Sequence, residues 1–459
     1  MTADQTAPLF PLYACLPFVE LAHETSIELG PVIFWPASKY EIFIDPSMHE
    51  MFKKYLESIQ QVKARTEEGD QACINTIKLQ PQGTTCISIH PKIAIYLREH
   101  VMIDAIYLLY FTCTFRNLYY GQEVPSFNVF RKMIPASWEF FSDPSQWEHV
   151  YIDETLREET VCIHLIDKEM ANALGQALLH IYTQTGEPGK TNAYKRLIRS
   201  IRYLVDRFFQ RFVNLFENGL NFSESLFEPE DIIFLASSFE SLLDINDQQV
   251  TADFKHKLRP MINFRYGKPV ELFWKWVDDF YETKRKIIHG GSIPDPYFRL
   301  NPNFEISHIM LGIKLYIYAL YFTLYKYQLI HSTHQDPYTP PDFKWIHREE
   351  VLLFFWTEVT ILEKIQSLLV QAQESSGKED LIADFHLLTY LFVSLYERYY
   401  LLSNQPDLKF IPTPLVSMQE MGSQILGLIK NEQNYEKLKP LLEKIHPHFV
   451  SDLEKRLKN

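Results

Sequence analysis

A chain of 459 residues, at the usual ~100–200 residues per domain, holds two or three domains and can bury a core without metal or disulfide staples. Hydrophobic residues at 46% and aromatic residues at 14% exclude disorder as the main state, and only 15 Gly leave little material for glycine-rich nucleotide loops. A net charge of −13 excludes a protein that coats nucleic acid through its whole surface, because such binders need a dominant basic field.

In chain order, residues 1–189 read as a mixed α+β, sensor-like region. Short β-like runs at 31–35 and 40–44 precede a helical pattern at about 47–62, a second helical pattern fills 92–120, and 161–166 is the last strand-like run. Strands are therefore expected only in the first 170 residues. Beyond them nearly everything carries helical periodicity, at 168–183, 191–217, 228–243, 251–262, 269–289, 306–330, 348–373, 379–402 and 415–457 with a break near Asn431. Stop signals divide the series: Gly186-Glu-Pro-Gly189 and Gly267-Lys-Pro269 mark connections, and Gly290-Gly291 followed by Pro294 ends a helix sharply. A proline-rich loop at 331–343 separates a helical domain at 190–335 from a C-terminal helical region at 336–459. The expected fold class is mainly α, a helical bundle with a mixed α+β N-terminal region and a helical C-terminal extension.

Five cysteines, Cys15, Cys73, Cys86, Cys113 and Cys162, form an odd set with no CxxC pair, which fits a reducing compartment. The first residues lack the basic start and apolar run of a secretory leader. The most apolar runs, 105–115 between Asp104 and Arg116 and 315–325 between Lys314 and Lys326, fall short of the ~20 residues of a membrane span. A cytoplasmic location with no membrane partner is expected.

Gly186-Glu-Pro-Gly-Lys-Thr191 ends as a phosphate-binding loop does, but the position that needs the first Gly is Gln184, and a helical pattern precedes it instead of a strand. It reads as a turn between helices. His331-Ser-Thr-His334 and His446-Pro-His448 lack the helix-face spacing and third ligand of a zinc site. No cofactor and no metal are expected.

The informative stretch is 273–293, F-W-K-W-V-D-D-F-Y-E-T-K-R-K-I-I-H-G-G-S-I. On a helical wheel at ~100° per residue, Val277, Phe280, Ile287 and Ile288 fall on the side of Phe273 and define a buried face. Asp278, Glu282, Arg285 and His289 form one polar stripe opposite. Lys284 projects from the middle of the apolar arc, where an ammonium must snorkel, pair or face a partner subunit. Lys284, Arg285, Lys286 and His289 also suit a last helical turn, because cations complement the negative end of the helix dipole and Gly290 can cap it.

Three segments, I-I-F-L-A-S-S-F-E-S-L-L at 232–243 with Glu240 in a Glu-x-Leu pattern, F-K-H-K-L at 254–258 and Y-E-T-K-R-K-I-I-H-G-G at 281–291, together resemble the HEPN superfamily, in particular its Apea-like branch. The resemblance covers about 190–335 and implies a helical bundle that dimerises and, in many members, a metal-independent endoribonuclease with the signature Arg, four to six residues, then His. One alignment places Lys284 at the signature Arg; in the other, Arg285 takes that role with only three residues before His289. The resemblance implies His289 as acid or base with Arg285 and Lys284 as phosphate-holding cations, and Glu240, Asp278 and Glu282 as supporting residues.

Cleavage of RNA by its own 2′-hydroxyl needs a base, a cation for the phosphate charge that builds up, and an acid for the leaving 5′-oxygen. A two-fold dimer would supply two imidazoles, the side chain that titrates near neutrality, at one composite site. Lys195, Arg199 and Arg202 share a helix face upstream, and with Lys286 they are the candidate RNA-binding residues. The expected function is RNA cleavage in a homodimer, with no DNA partner and a role in bacterial host defence that the family suggests. The alternative is a non-catalytic HEPN protein that binds RNA, nucleotide or a protein partner, which the lysine at position 284 favours.

Overall fold

A computed structural model describes residues 11–22, 26–59, 61–68, 71–78, 83–119, most of 124–136, 151–153, 161–163, 166–183, 188–208, 230–245, 248–262, 267–290, 297–301, 304–332 and a few positions from 341 to 351. The helices expected at 379–402 and 415–457, and all but the start of the one at 348–373, lie outside these residues. Most described residues are helical, and the strands are concentrated toward the N-terminus. The chain forms two compact units with interleaved segments: one comprises 1–118, 123–226 and 237–244, the other 119–122, 227–236 and 245–459. The stretch 190–335 is thus divided between them.

The strands of the first unit are β1 (Leu12–Leu16), β2 (Val19–Leu21), β3 (Ile27–Leu29), β4 (Val32–Pro36), β5 (Gln61–Glu68), β6 (Gln71–Lys78), β7 (Thr85–Ile89), β8 (Ile134–Pro135), β9 (Tyr151–Asp153) and β10 (Val161–Ile163). An antiparallel sheet runs β3-β4-β7-β1-β8; β2 pairs with β10 in parallel, and β6-β5-β9 is a separate three-stranded sheet. β-Branched and aromatic residues suit the central strands. All five residues of β7 are buried, so both of its faces are covered. Trp35 on β4 donates from Nε1 to Ser88 Oγ at 2.9 Å and stacks on Phe43 with centroids 5.0 Å apart. The helix α1 (His49–Ile59) brings Phe52 to 6.0 Å from the same indole.

Among the described residues, short helices at Tyr40–Phe43, where a strand-like run was expected, and at Asn128–Arg131 are joined in this unit by the longer α2 (Arg98–Tyr119), α3 (Lys168–Thr183), α4 (Pro188–Phe208) and the second half of α5 (Glu230–Leu243). Asp167 caps α3 by accepting from Met170 N at 2.9 Å, and Arg116 of α2 pairs with the same carboxylate. In α4, Ala193, Tyr194, Leu197, Ile198, Ile201, Leu204 and Val205 are buried at helical spacing. α3 crosses the β3–β4 turn at backbone distance. Gly30 there has φ +60°, and a Cβ on Gly175 of α3 would stand 2.7 Å from Gly30 N.

The second unit is built on α6 (Val250–Leu258), α7 (Gly267–Ile288) and α8 (His308–Lys326), with a hairpin of β11 (Tyr297–Asn301) and β12 (Phe304–Ser307) between the last two. This hairpin corrects the expectation that strands end by residue 170. Asn301-Pro302-Asn303 is turn chemistry between two runs too short to stand out against the helical periodicity around them. Ser307 ends β12 and caps α8, its hydroxyl accepting from Met310 N at 3.4 Å. Among the described residues α8 is the one helix long and apolar enough to cross a membrane by length and composition, and 83% of its apolar window is buried inside the protein. Its Lys314, 3% exposed, donates to Tyr119 O at 2.7 Å and lies 4.2 Å from the Tyr119 ring centroid.

Because no side chain fits between α3 and the β3–β4 turn, Gly175→Ala should destabilise the first unit by ~1–3 kcal/mol. Gly189→Ala in α4, where a Cβ meets nothing within 4 Å, should leave stability within ~0.5 kcal/mol of wild type. Urea unfolding of both variants checks the pair, and equal stability of the two would contradict the close approach.

Candidate functional site

The candidate residues at 278–289 take their positions from the phase of α7. Phe273, Trp276, Val277, Phe280 and Tyr281 are buried, with Trp276 stacked on Phe280 at 5.3 Å and Tyr281 edge-on to Phe254 of α6 at 5.1 Å. The opposite stripe is turned to solvent: Asp278, Arg285 and His289 are exposed and Glu282 half-buried. Asp278 pairs with Lys255 of α6 at 2.5 Å. Glu282 receives two hydrogen bonds from Arg285, Nε at 2.9 Å and the terminal NH2 at 2.8 Å, and lies 4.0 Å from Lys286 Nζ. These hydrogen bonds hold the Glu282 carboxyl below its ordinary range and push the Arg285 guanidinium up.

His289 follows the last helical residue and donates its backbone N–H to Arg285 O at 3.1 Å. Gly290 closes the helix at φ +66°, the left-handed cap that glycine adopts without a Cβ penalty. Lys284 does not enter the apolar core: it is half-buried and its ammonium sits 5.8 Å from the Tyr281 ring centroid. The expected buried face ends early. Ile287 is half-buried and Ile288 is 53% exposed, because the apolar arc runs on into the last turn, past the buried aromatic residues. The end of α7 therefore presents an imidazole, a guanidinium and two ammonium groups beside one exposed isoleucine.

The upstream cations belong to α4, in the other unit. Lys195 and Arg199 are exposed, and Arg199 donates from Nε to Tyr203 OH at 2.9 Å with its guanidinium over that ring at 5.3 Å. Arg202 is held differently. It donates to Asp104 Oδ1 of α2 at 3.0 Å and stacks over Tyr107 at 5.0 Å. Arg196 pairs with Asp244 at 3.2 Å, and Asp206 pairs with both Arg131 and Tyr107 OH. Glu240 is half-buried in the part of α5 that belongs to the first unit. Lys190 and Thr191 lie in the first turn of α4, with Lys190 over the Tyr194 ring at 5.8 Å and Thr191 Oγ1 3.3 Å from His180 Nε2. His334, His446 and His448 lie outside the described residues.

One titratable residue next to the site carries no periodicity or motif signal. His308, at the first position of α8, is 0% exposed and its Nε2 lies 3.2 Å from Asp279 Oδ2 of α7. The approach is off the line of a hydrogen bond, and both ring nitrogens lack a hydrogen-bond partner among the described residues. Its ring packs among Trp276, Phe280 and Phe298 at 6.0–6.5 Å. Enclosed in this way, it fixes the start of α8 against α7 and does not reach a substrate. Comparison with protein-family models, with curated proteins and with solved structures yields no match to this chain.

On the α4 side the fold perturbs the buried carboxylate of Asp104 on α2. Burial pushes its carboxyl up, against hydrogen bonds from Tyr182 at 2.7 Å and from Arg202 and against the charge of Arg202. A raised carboxyl binds its proton more readily in the native than in the unfolded state, so its contribution favours folding at low pH and is lost as pH rises through the native value. The stability of wild type relative to Asp104→Asn should therefore increase as pH falls from 7 toward ~4. Unfolding midpoints of both proteins across that range check it, and a difference that shrinks on acidification would contradict it.

Proposed function

We propose that this chain is a HEPN-type endoribonuclease that cleaves RNA without a metal ion, at a composite site formed by the ends of two α7 helices in a cytoplasmic homodimer. The observation that carries the reading is the joint exposure of His289, Arg285 and Lys286 at one helix end, in the segment that resembles the HEPN signature. In this reading His289 exchanges the proton of the 2′-hydroxyl or of the leaving 5′-oxygen, and Arg285 and Lys284 hold the phosphate. Ile288, exposed beside His289, offers the apolar contact that a second copy would cover. Lys195 and Arg199 extend a basic face on α4 with Tyr203 among them, a combination suited to single-stranded RNA.

A second reading has its own support: a HEPN protein that binds RNA, nucleotide or a protein partner without cutting. The Arg285 guanidinium is already engaged at both its Nε and NH2 by Glu282, and Lys284 stands where the family has Arg.

Purified protein incubated with total RNA in EDTA decides between them. Cleavage should leave a 5′-hydroxyl on the downstream fragment. His289→Ala should lower the rate by ~10²–10⁴-fold with an unchanged unfolding midpoint, because the side chain is exposed. Glu282→Gln should release Arg285 and strengthen RNA binding severalfold, most visibly at low salt. Intact RNA after prolonged incubation with binding retained would establish the non-catalytic reading, and a monomer at micromolar concentration would remove the composite site.

A further inference from the structure

Two adjacent interior strands of the five-stranded sheet carry a pair of cysteines that the RNA reading does not use. Cys15 on β1 and Cys86 on β7 are direct antiparallel partners, and their sulfurs are 3.5 Å apart in an S–H···S contact. Antiparallel partners have Cα atoms ~4.5–5.5 Å apart, inside the ~4.4–6.8 Å that a disulfide spans. Closing the bond therefore asks only for side-chain rotation that brings the sulfurs to ~2.05 Å, with the strand register kept. Trp35, the partner of Cys86 on β4, and Tyr55 of α1 belong to the surrounding packing, and Tyr55 is close enough that the two sulfurs, after burial itself, push its hydroxyl up. The other cysteines are placed differently: Cys73 on β6 is opposite Thr66 of β5, Cys162 on β10 pairs with Glu20 of β2, and Cys113 lies in α2.

We propose that Cys15 and Cys86 are an oxidant-responsive pair that closes to a disulfide and locks β1 to β7, a modification site independent of the RNA reading. The oxidant is a hydroperoxide. One thiol is converted to a sulfenic acid as the peroxide O–O bond breaks and an alcohol, or water from hydrogen peroxide, leaves. The second sulfur then displaces the sulfenic oxygen, which departs as water with the second thiol's proton. Two electrons and two hydrogens leave the pair, and the peroxide takes them up.

Both thiols are 0% exposed, and burial followed by the hydrogen bond to Cys15 pushes the Cys86 thiol well up. The thiolate is the reacting form, so closure waits on transient opening of the sheet and is slow compared with oxidation of an exposed cysteine. That delay makes the link a response to sustained oxidant. Once formed, it joins residues 71 apart in sequence across two adjacent strands of the five-stranded sheet.

The full chain in native buffer, held with hydrogen peroxide or tert-butyl hydroperoxide, then alkylated and mapped without reduction, should yield one peptide pair joining Cys15 to Cys86. The pair should be two hydrogens lighter and be released by dithiothreitol. The oxidised chain should unfold at a higher urea midpoint than the reduced chain. Cys15→Ala and Cys86→Ala should each abolish the link, and the wild-type map stands even where a variant folds poorly. Recovery of Cys15 and Cys86 as alkylated thiols while other cysteines oxidise would overturn the proposal. So would links scattered among all five cysteines, or a lower urea midpoint for the linked form.

Discussion

The rotation of α7 about its own axis is the constraint on which the candidate site depends, and aromatic burial sets it. Phe273, Trp276, Val277 and Phe280 are all fully buried, and each contributes ~1.5–3 kcal/mol relative to exposure. A helix turned by even one residue would bring part of this face into water and carry Asp278 or Glu282 inward. The exposed ion pairs along the stripe contribute little by comparison, since solvent screens them. The polar stripe and the basic end of the helix are therefore displayed because of what lies on the other side.

Buried polar groups tie each unit together at a few defined points. In the second unit Lys314 is enclosed in α8, where an ammonium without a partner would be costly, and the Tyr119 carbonyl and ring meet it. His308 joins the hairpin and the start of α8 to Asp279. In the first unit Asp104 gathers Tyr182 of α3 and Arg202 of α4 onto α2. Losing the partner of a buried charge such as Lys314 or Asp104 leaves that charge uncompensated, which costs more than the pair contributes when whole.

The same logic sorts the cations. Arg196 and Arg202 stand in sequence among basic neighbours, yet Asp244, just past the end of α5, and Asp104 of α2 neutralise them. Lys195 and Arg199 are exposed, with the Arg199 guanidinium held over Tyr203 at the surface. At the end of α7 the pairing is local, Glu282 with Arg285 one turn later, so the guanidinium is held ready but occupied. Glu282 takes two of the five N–H donors of this guanidinium, and the others face solvent on an exposed side chain.

Helix placement was legible in the sequence because it rests on local physics. Periodicity and stop signals located 168–183, 228–243 and 269–289 to within about two residues of α3, α5 and α7, and the wheel separated the aromatic face from the stripe of Asp278, Glu282, Arg285 and His289. What the wheel could not show was where the burying partners stop, and so Ile288 is exposed although its angle is apolar. The β11–β12 hairpin was hidden because a short strand is stabilised by its neighbour, not by its own pattern. The acids that bind Arg202 and Arg196, the Tyr281 ring beneath Lys284, the meeting of His308 with Asp279, and the contact of Cys15 with Cys86 all join residues on different elements or set a side-chain direction. Chain order carries periodicity, caps and turn chemistry; which distant side chain ends beside which is decided only when the buried faces of helices and strands pack against one another.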